Sequence, residues 1–155
     1  MGNSFPTLAL PPIDARLRTV GDRDHILCLI RRRFVALTPE EWVRQHLLGY
    51  LTGHRAYPAS LVAVEKSYPY QGMGWRADIV AYGRNGAPLV LIECKAPGVP
   101  IGQRTFDQVS RYNLVVAARV AVVSNGLEHY CFAPNRDTGA VTFLDDIPSF
   151  DTLSG

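Results

Sequence analysis

The chain is poor in the residues that usually give a site away. Its 155 residues include three cysteines, Cys28, Cys94 and Cys131, an odd number without zinc-like spacing, so reduced thiols in a cytoplasmic setting are expected. The four histidines, His25, His46, His54 and His129, form no ligand pattern either. No apolar run approaches the roughly 20 residues that span a bilayer, and the stretch Met1 to Pro12 lacks a basic region followed by an apolar core. Neither membrane insertion nor a secretory signal is therefore expected. Charged residues are scarce at 19%, and a net charge of +2 makes no general case for a polyanionic partner. Any basic surface must come from local clusters, of which Arg31-Arg32-Arg33 is the obvious run. Internal repeats and low-complexity tracts are absent, as is any Gly-x-x-x-x-Gly-Lys-[Ser/Thr] segment, which excludes a P-loop motor within this stretch.

What is present is apolar content, 47% of the chain, enough to build one real core. Residues 1–23, with Pro6, Pro11 and Pro12, read as an N-terminal arm that packs on the body or stays partly loose; residues 24–144 read as the domain; residues 145–155 read as a polar tail that frays. His25 to Leu37 reads as two short extended pieces. Thr38-Pro39-Glu40-Glu41 predicts a helix start, with Thr38 as cap, Pro39 at the first helical position and Glu41 closing a capping box. Val43, Leu47, Tyr50 and Leu51 continue it at helical spacing, and Gly53 can end it. A strand over 60–68 and a loop over 69–74 follow. Gly102 to Ala118 predicts a second helix, Arg119 to Ser124 an apolar strand, and His129 to Ala133 with Ala140 to Leu144 two more. Strand, helix, strand with short connections is a βαβ unit, so the strand from 119 should run parallel to that over 89–95. The fold class expected is α/β, a mixed central sheet (an antiparallel meander plus one parallel strand) flanked by helices.

The segment with chemistry in it runs from Trp75 to Pro97. Two apolar, β-branched stretches flank Asn85-Gly86, a strong hairpin signal. A turn centred on Asn85-Gly86 sets Tyr82 opposite Leu89, Asp78 opposite Glu93 and Arg76 opposite Lys95, with Cβ atoms roughly 4.5–5.5 Å apart in opposed pairs. Lys95 shares a face with Glu93, and Cys94 points to the other. Two facing carboxylates repel unless a proton or a cation lies between them. Hard oxygens without His or thiolate beside them suit Mg²⁺, or Mn²⁺ in its place, with the Cys94 carbonyl as a further oxygen. A metal-bound water of lowered pKa is a nucleophile for phosphodiester hydrolysis, and Lys95 would stand beside it as a point charge or proton carrier. The alternative is a solvated face on an edge hairpin. Against it stands the βαβ context, which makes the strand interior and its charges costly unless used.

These residues resemble a known family. Asp78 followed by Glu93-Cys94-Lys95 looks like the PD-(D/E)XK nuclease superfamily, whose order of helix, three-stranded meander, helix and strand matches residues 38–126. Thr38-Pro-Glu-Glu-Trp-Val-Arg44, Arg76-Ala-Asp-Ile-Val80, Leu91-Ile-Glu-Cys-Lys-Ala-Pro97 and Ser124-Asn-Gly126 further resemble the N-terminal nuclease domain of type I restriction enzyme R subunits, over roughly residues 24–134. The resemblance implies a restriction-endonuclease-like fold, Asp78 and Glu93 as metal ligands and Lys95 as the catalytic lysine; Ala77 stands where the motif has Pro. It also implies a supporting role for Gln108 and Tyr112, four apart on one helix face, like the Gln-x-x-x-Tyr pair of the RecB-like branch. An ordinary amphipathic helix explains the same spacing.

Glu41 has two readings, a site glutamate from the first helix or a cap. Arg76 is the phosphate-binding candidate, facing Lys95 with room for an anion between; Arg31-Arg32-Arg33 and Arg44 could neutralise phosphates or form a solvated face, and Lys66 is a weaker candidate. Trp42 and Trp75 read as core or site wall. The expected partner is DNA, with no membrane, and with a homodimer or a larger restriction-type complex supplying specificity. The sum is a Mg²⁺-dependent nuclease. The rival is a nucleic-acid-binding or assembly module that keeps the fold without the catalysis. Lacking the P-loop motif, the chain is expected to be a standalone nuclease, an excised domain, or a piece that works with partners.

Overall fold

A computed structural model describes residues 5–155; residues 1–4 of the expected arm lie outside the described residues. Strands β1 (Leu17–Val20), β2 (Arg23–Leu27) and β3 (Phe34–Ala36) form a small antiparallel sheet. Helix α1 (Pro39–His54) leads through a 3-10 turn (Ala59–Leu61) to β4 (Val62–Tyr70), β5 (Met73–Tyr82) and β6 (Pro88–Cys94). After α2 (Gln103–Val116) come β7 (Val120–Ser124), β8 (His129–Pro134), β9 (Val141–Leu144) and a last helix, α3 (Phe150–Ser154). The main sheet has six strands in the order β4-β5-β6-β7-β8-β9, antiparallel throughout except for the β6–β7 pair. This is the mixed α/β architecture expected, with the parallel pair in its expected place.

The sheet is buried on both faces, which explains the unbroken apolar run Leu89–Ile92. On one face Val43, Leu47, Leu48 and Leu51 of α1 pack with Ile79, Val90, Ile92 and Val122; on the other Val109 and Val116 of α2 pack with Val80, Leu91, Ala121 and Val123. Among the described residues no helix is long and apolar enough to cross a membrane.

Three expectations change. First, residues 69–74 are not a loop. β4 and β5 continue to Tyr70 and Met73 around Gln71 (φ 50°) and Gly72 (φ 75°), the pair of positive φ angles that a two-residue hairpin turn requires. Second, Asn85-Gly86 is not the turn's centre. Gly86 N–H donates to the Gly83 carbonyl at 2.9 Å, the Asn85 side chain accepts from Ala87 N–H, and only Gly86 has positive φ within that turn. The longer turn sets Tyr82 opposite Pro88 instead of Leu89, and a shift between Ala81 and Tyr82 absorbs the difference. Below it, Ala81 pairs with Val90 and Ile79 with Ile92, the expected register. Third, the tail does not fray. Ile147, Phe150 and Leu153 are buried in the α1-side core, and Tyr57 donates from its hydroxyl to the Pro148 carbonyl at 2.7 Å. The described part of the arm also packs: Leu8 is buried, and Ala9 N–H donates to the Gly126 carbonyl at 2.8 Å.

Candidate active site beside the parallel strand pair

The carboxyl end of an interior parallel strand is where open α/β sheets put their sites, and β6 ends at Glu93 and Cys94. The β5–β6 ladder closes at Ile79–Ile92, and continuing its register by one residue sets Asp78 opposite Glu93. Asp78 is tied to the strand directly: Cys94 N–H donates to its Oδ2 at 2.7 Å. Glu93 is 7% exposed, and its Oε1 is buried without a hydrogen-bond partner. Burial, and then the neighbouring Asp78 charge, push the Glu93 carboxyl up to about 9. Burial also raises Asp78, held back by the Cys94 N–H and by Arg44. Without a metal ion the pair therefore favours keeping a proton.

Lys95 follows β6 directly, half-buried, with its backbone N–H donating to the Ser124 carbonyl at 2.8 Å. Its positive charge acts on Glu93 and on Glu40 of α1. The Cys94 thiol is buried and raised well above its usual range, so that residue has only backbone groups to offer. On the α2 side, Gln108 Nε2 donates to the Tyr112 hydroxyl at 3.0 Å. Trp75 stacks on Tyr112 with ring centroids 4.0 Å apart, and Tyr70 meets it edge-on at 5.2 Å. Burial, then the Glu93 charge, raise the Tyr112 hydroxyl above its usual range. Trp75 thus packs against the α2-side core, whereas Trp42, which donates from Nε1 to the Pro6 carbonyl at 3.1 Å, pins the arm.

Arg76 is not paired with Lys95 in the β5–β6 ladder. The β5–β6 pairing has ended before that point, and Arg76 lies exposed opposite Ser67 on the β4–β5 hairpin, which runs on past the end of β6. Lys66 is likewise exposed, opposite Ala77.

Glu41 neither closes a capping box nor faces the cleft alone. Thr38 Oγ1 does accept from Glu41 N–H at 3.0 Å, but the Glu41 carboxylate turns away from the cap. Arg31 Nη2 donates to both its oxygens at 2.8 Å, Arg44 Nη1 at 3.0 Å and Gln45 Nε2 at 2.9 Å. Two guanidinium groups and an amide outcompete one backbone N–H. Arg31 is consequently no solvated residue, whereas Arg32 and Arg33 are exposed. Arg44, 5% exposed, carries the network onward: its Nη2 donates to Asp78 Oδ1 at 3.1 Å and lies 3.9 Å from Glu40. Sequence reasoning missed this link. The available signal was Glu41, Arg44 and Gln45 at helical spacing on the face that also carries buried Leu48.

Among the described residues no group of three or more His, Cys, Asp or Glu side chains is placed to hold a metal ion. The donor set is the Asp78–Glu93 pair, with backbone carbonyl and water to complete it. That set, with one buried carboxylate oxygen unpartnered, fits a hard divalent cation that retains several waters.

Residues 39–148 match the family described as type I restriction enzyme R protein N terminus (HSDR_N). No curated protein matches the chain. Among solved structures, a fragment assigned to an HsdR subunit of a type I restriction enzyme from Vibrio vulnificus is similar, with a TM-score of 0.58 and 22% identity over 76% of this chain. At that identity the likeness carries the fold alone, and the chain spans 24% of that structure's length. With the family matched across most of its sheet and α1, the chain belongs to the type I restriction enzyme R protein N-terminal family.

Proposed function

We propose that the chain is a Mg²⁺-dependent nuclease of the PD-(D/E)XK type that hydrolyses DNA phosphodiester bonds. The observation that supports this most is the buried Asp78–Glu93 pair with Glu93 Oε1 left without a partner, since an interior sheet does not keep such a group without a use for it. Asp78 and Glu93, with the Cys94 carbonyl, would hold Mg²⁺ or Mn²⁺. A bound ion of this kind supplies a Lewis acid for a phosphoryl oxygen and a water of lowered pKa.

The chain's own residues do the rest. Lys95, whose positive charge acts on Glu93, would offset charge building on the phosphate oxygens and could pass a proton to or from water. Cys94 N–H fixes Asp78 from one side. Gln108 orients the Tyr112 hydroxyl, and Trp75 and Tyr70 brace that ring on the α2 side. Membership of the type I restriction enzyme R protein N-terminal family supports DNA as the polymer and a larger restriction-type assembly as its setting.

One observation favours the rival reading, a binding or assembly module. Arg44 already gives Asp78 a cation, so half of the pair is neutralised without metal. Cleavage separates the two. With Mg²⁺ or Mn²⁺ the wild type is expected to cut plasmid or single-stranded DNA, and Lys95→Ala to lower the rate by about 10²-fold or more. Undiminished cleavage in the variant, or none by the wild type with any divalent metal, would contradict the assignment.

A further inference from the structure

Asp78 is already paired with a cation, and that cation is rigidly held. We propose that Arg44 is a resident counter-ion that competes with the divalent cation for Asp78 and so weakens metal binding to the free protein. The proposal rests on the reading of Asp78 and Glu93 as metal ligands.

Four observations carry it. Arg44 Nη2 lies 3.1 Å from Asp78 Oδ1, while the other oxygen takes the Cys94 N–H. Arg44 cannot swing aside freely: its side chain is 6% exposed, Nη1 is 3.0 Å from Glu41, and Glu41 is in turn clamped by Arg31 and Gln45. Its Nε is buried with no partner, so the side chain sits there at a cost that its charge–charge contacts must offset. Glu93 is the asymmetric partner. It has an orphaned oxygen and no arginine within ion-pair distance among the described residues.

A guanidinium is a permanent cation, and it stands beside one of the two oxygens groups that a divalent ion must use. In a buried site of low effective dielectric, two positive charges a few ångströms apart repel strongly. The protein thereby settles half of its own buried negative charge, and a metal ion must enter against Arg44. Arg44 acts on the reaction through Asp78, as a positioning residue.

The test is a Mn²⁺ titration of the full chain without DNA, followed by the electron paramagnetic resonance signal of free Mn²⁺. Arg44→Gln keeps a polar side chain and loses the charge; it is expected to bind Mn²⁺ about tenfold more tightly, or better. Arg44→Lys keeps the charge and is expected to stay within about threefold of wild type. The double variant Glu41→Gln with Arg44→Gln removes one charge of each sign from the buried network, so it serves if Arg44→Gln alone fails to fold, and it is expected to tighten in the same way. Unchanged or weaker affinity in the neutral variants overturns the proposal. Asp78→Asn in the same titration separates this failure from a deeper one. If Asp78→Asn loses Mn²⁺ binding while the neutral Arg44 variants fail to tighten, the counter-ion role alone is wrong; if Asp78→Asn binds as wild type does, the metal-ligand reading falls and the proposal with it.

Discussion

Burial sets the chemistry of Glu93 before any ligand arrives. Its carboxyl moves from an ordinary 4.5 to about 9 in the folded protein. A group whose folded pKa lies above its unfolded one contributes stability that is complete below the unfolded pKa and is lost as pH rises through the folded pKa. Metal-free protein should therefore lose stability steadily between those two values. Glu93→Gln cannot ionise; it is expected to flatten that dependence and to stabilise the metal-free protein by on the order of 1–3 kcal/mol at about pH 8. Urea midpoints for both proteins at about pH 5 and about pH 8 check this. An identical pH slope in the variant would show that Glu93 is not the group responsible. The same residue scale shows what a linear reading can and cannot reach. Asp78 opposite Glu93 follows from strand alternation and a nearby turn, and it survives the longer turn only because the shift between Ala81 and Tyr82 restores the register. That Arg44 reaches Asp78 depends on how α1 lies across the sheet, which spacing along a helix does not specify.

At the scale of elements, the turn after β7 is the most constrained joint. Asn125 accepts from Leu127 and Glu128 N–H groups through its side-chain oxygen and donates from Nδ2 to the Val99 carbonyl at 2.9 Å, which ties the end of β7 to the loop leaving the site strand. Gly126 stands at φ 86°, and a Cβ there would lie 2.8 Å from Leu8 and 3.0 Å from Val43 side chains. Gly126→Ala is expected to destabilise by about 1–3 kcal/mol, from left-handed backbone strain and from displacing Leu8. A thermal melt checks it; a melting temperature equal to wild type would mean the arm yields at no cost. Ser124-Asn-Gly126 was visible in the sequence as a strand end. Its contact with the arm was not, because Leu8 lies more than a hundred positions away. The β4–β5 tip was misjudged for a different reason: Pro69 and two glycines suggested a loop, while Gln71 took the second positive φ that closes a tight hairpin.

At the scale of the molecule, continuous apolar strands and two amphipathic helices made the α/β layering legible, and the short strand–helix–strand link made the parallel pair legible too. The small β1–β2–β3 sheet and the docked tail were harder. The small sheet pairs only within itself through three short strands, and the polar composition of residues 145–155 misled, with Ile147, Phe150 and Leu153 enough to anchor the tail. The layering leaves the β6 end between α1 and α2, with Arg44 on one side and Tyr112 on the other. On the proposed reading, this gap holds a divalent ion on Asp78 and Glu93. Anomalous diffraction from a crystal of the full chain soaked in Mn²⁺ tests it most directly. A manganese peak between the two carboxylates is the expected result; no peak there, with Asp78 still on Arg44 and the Glu93 carboxyl turned away, would contradict it.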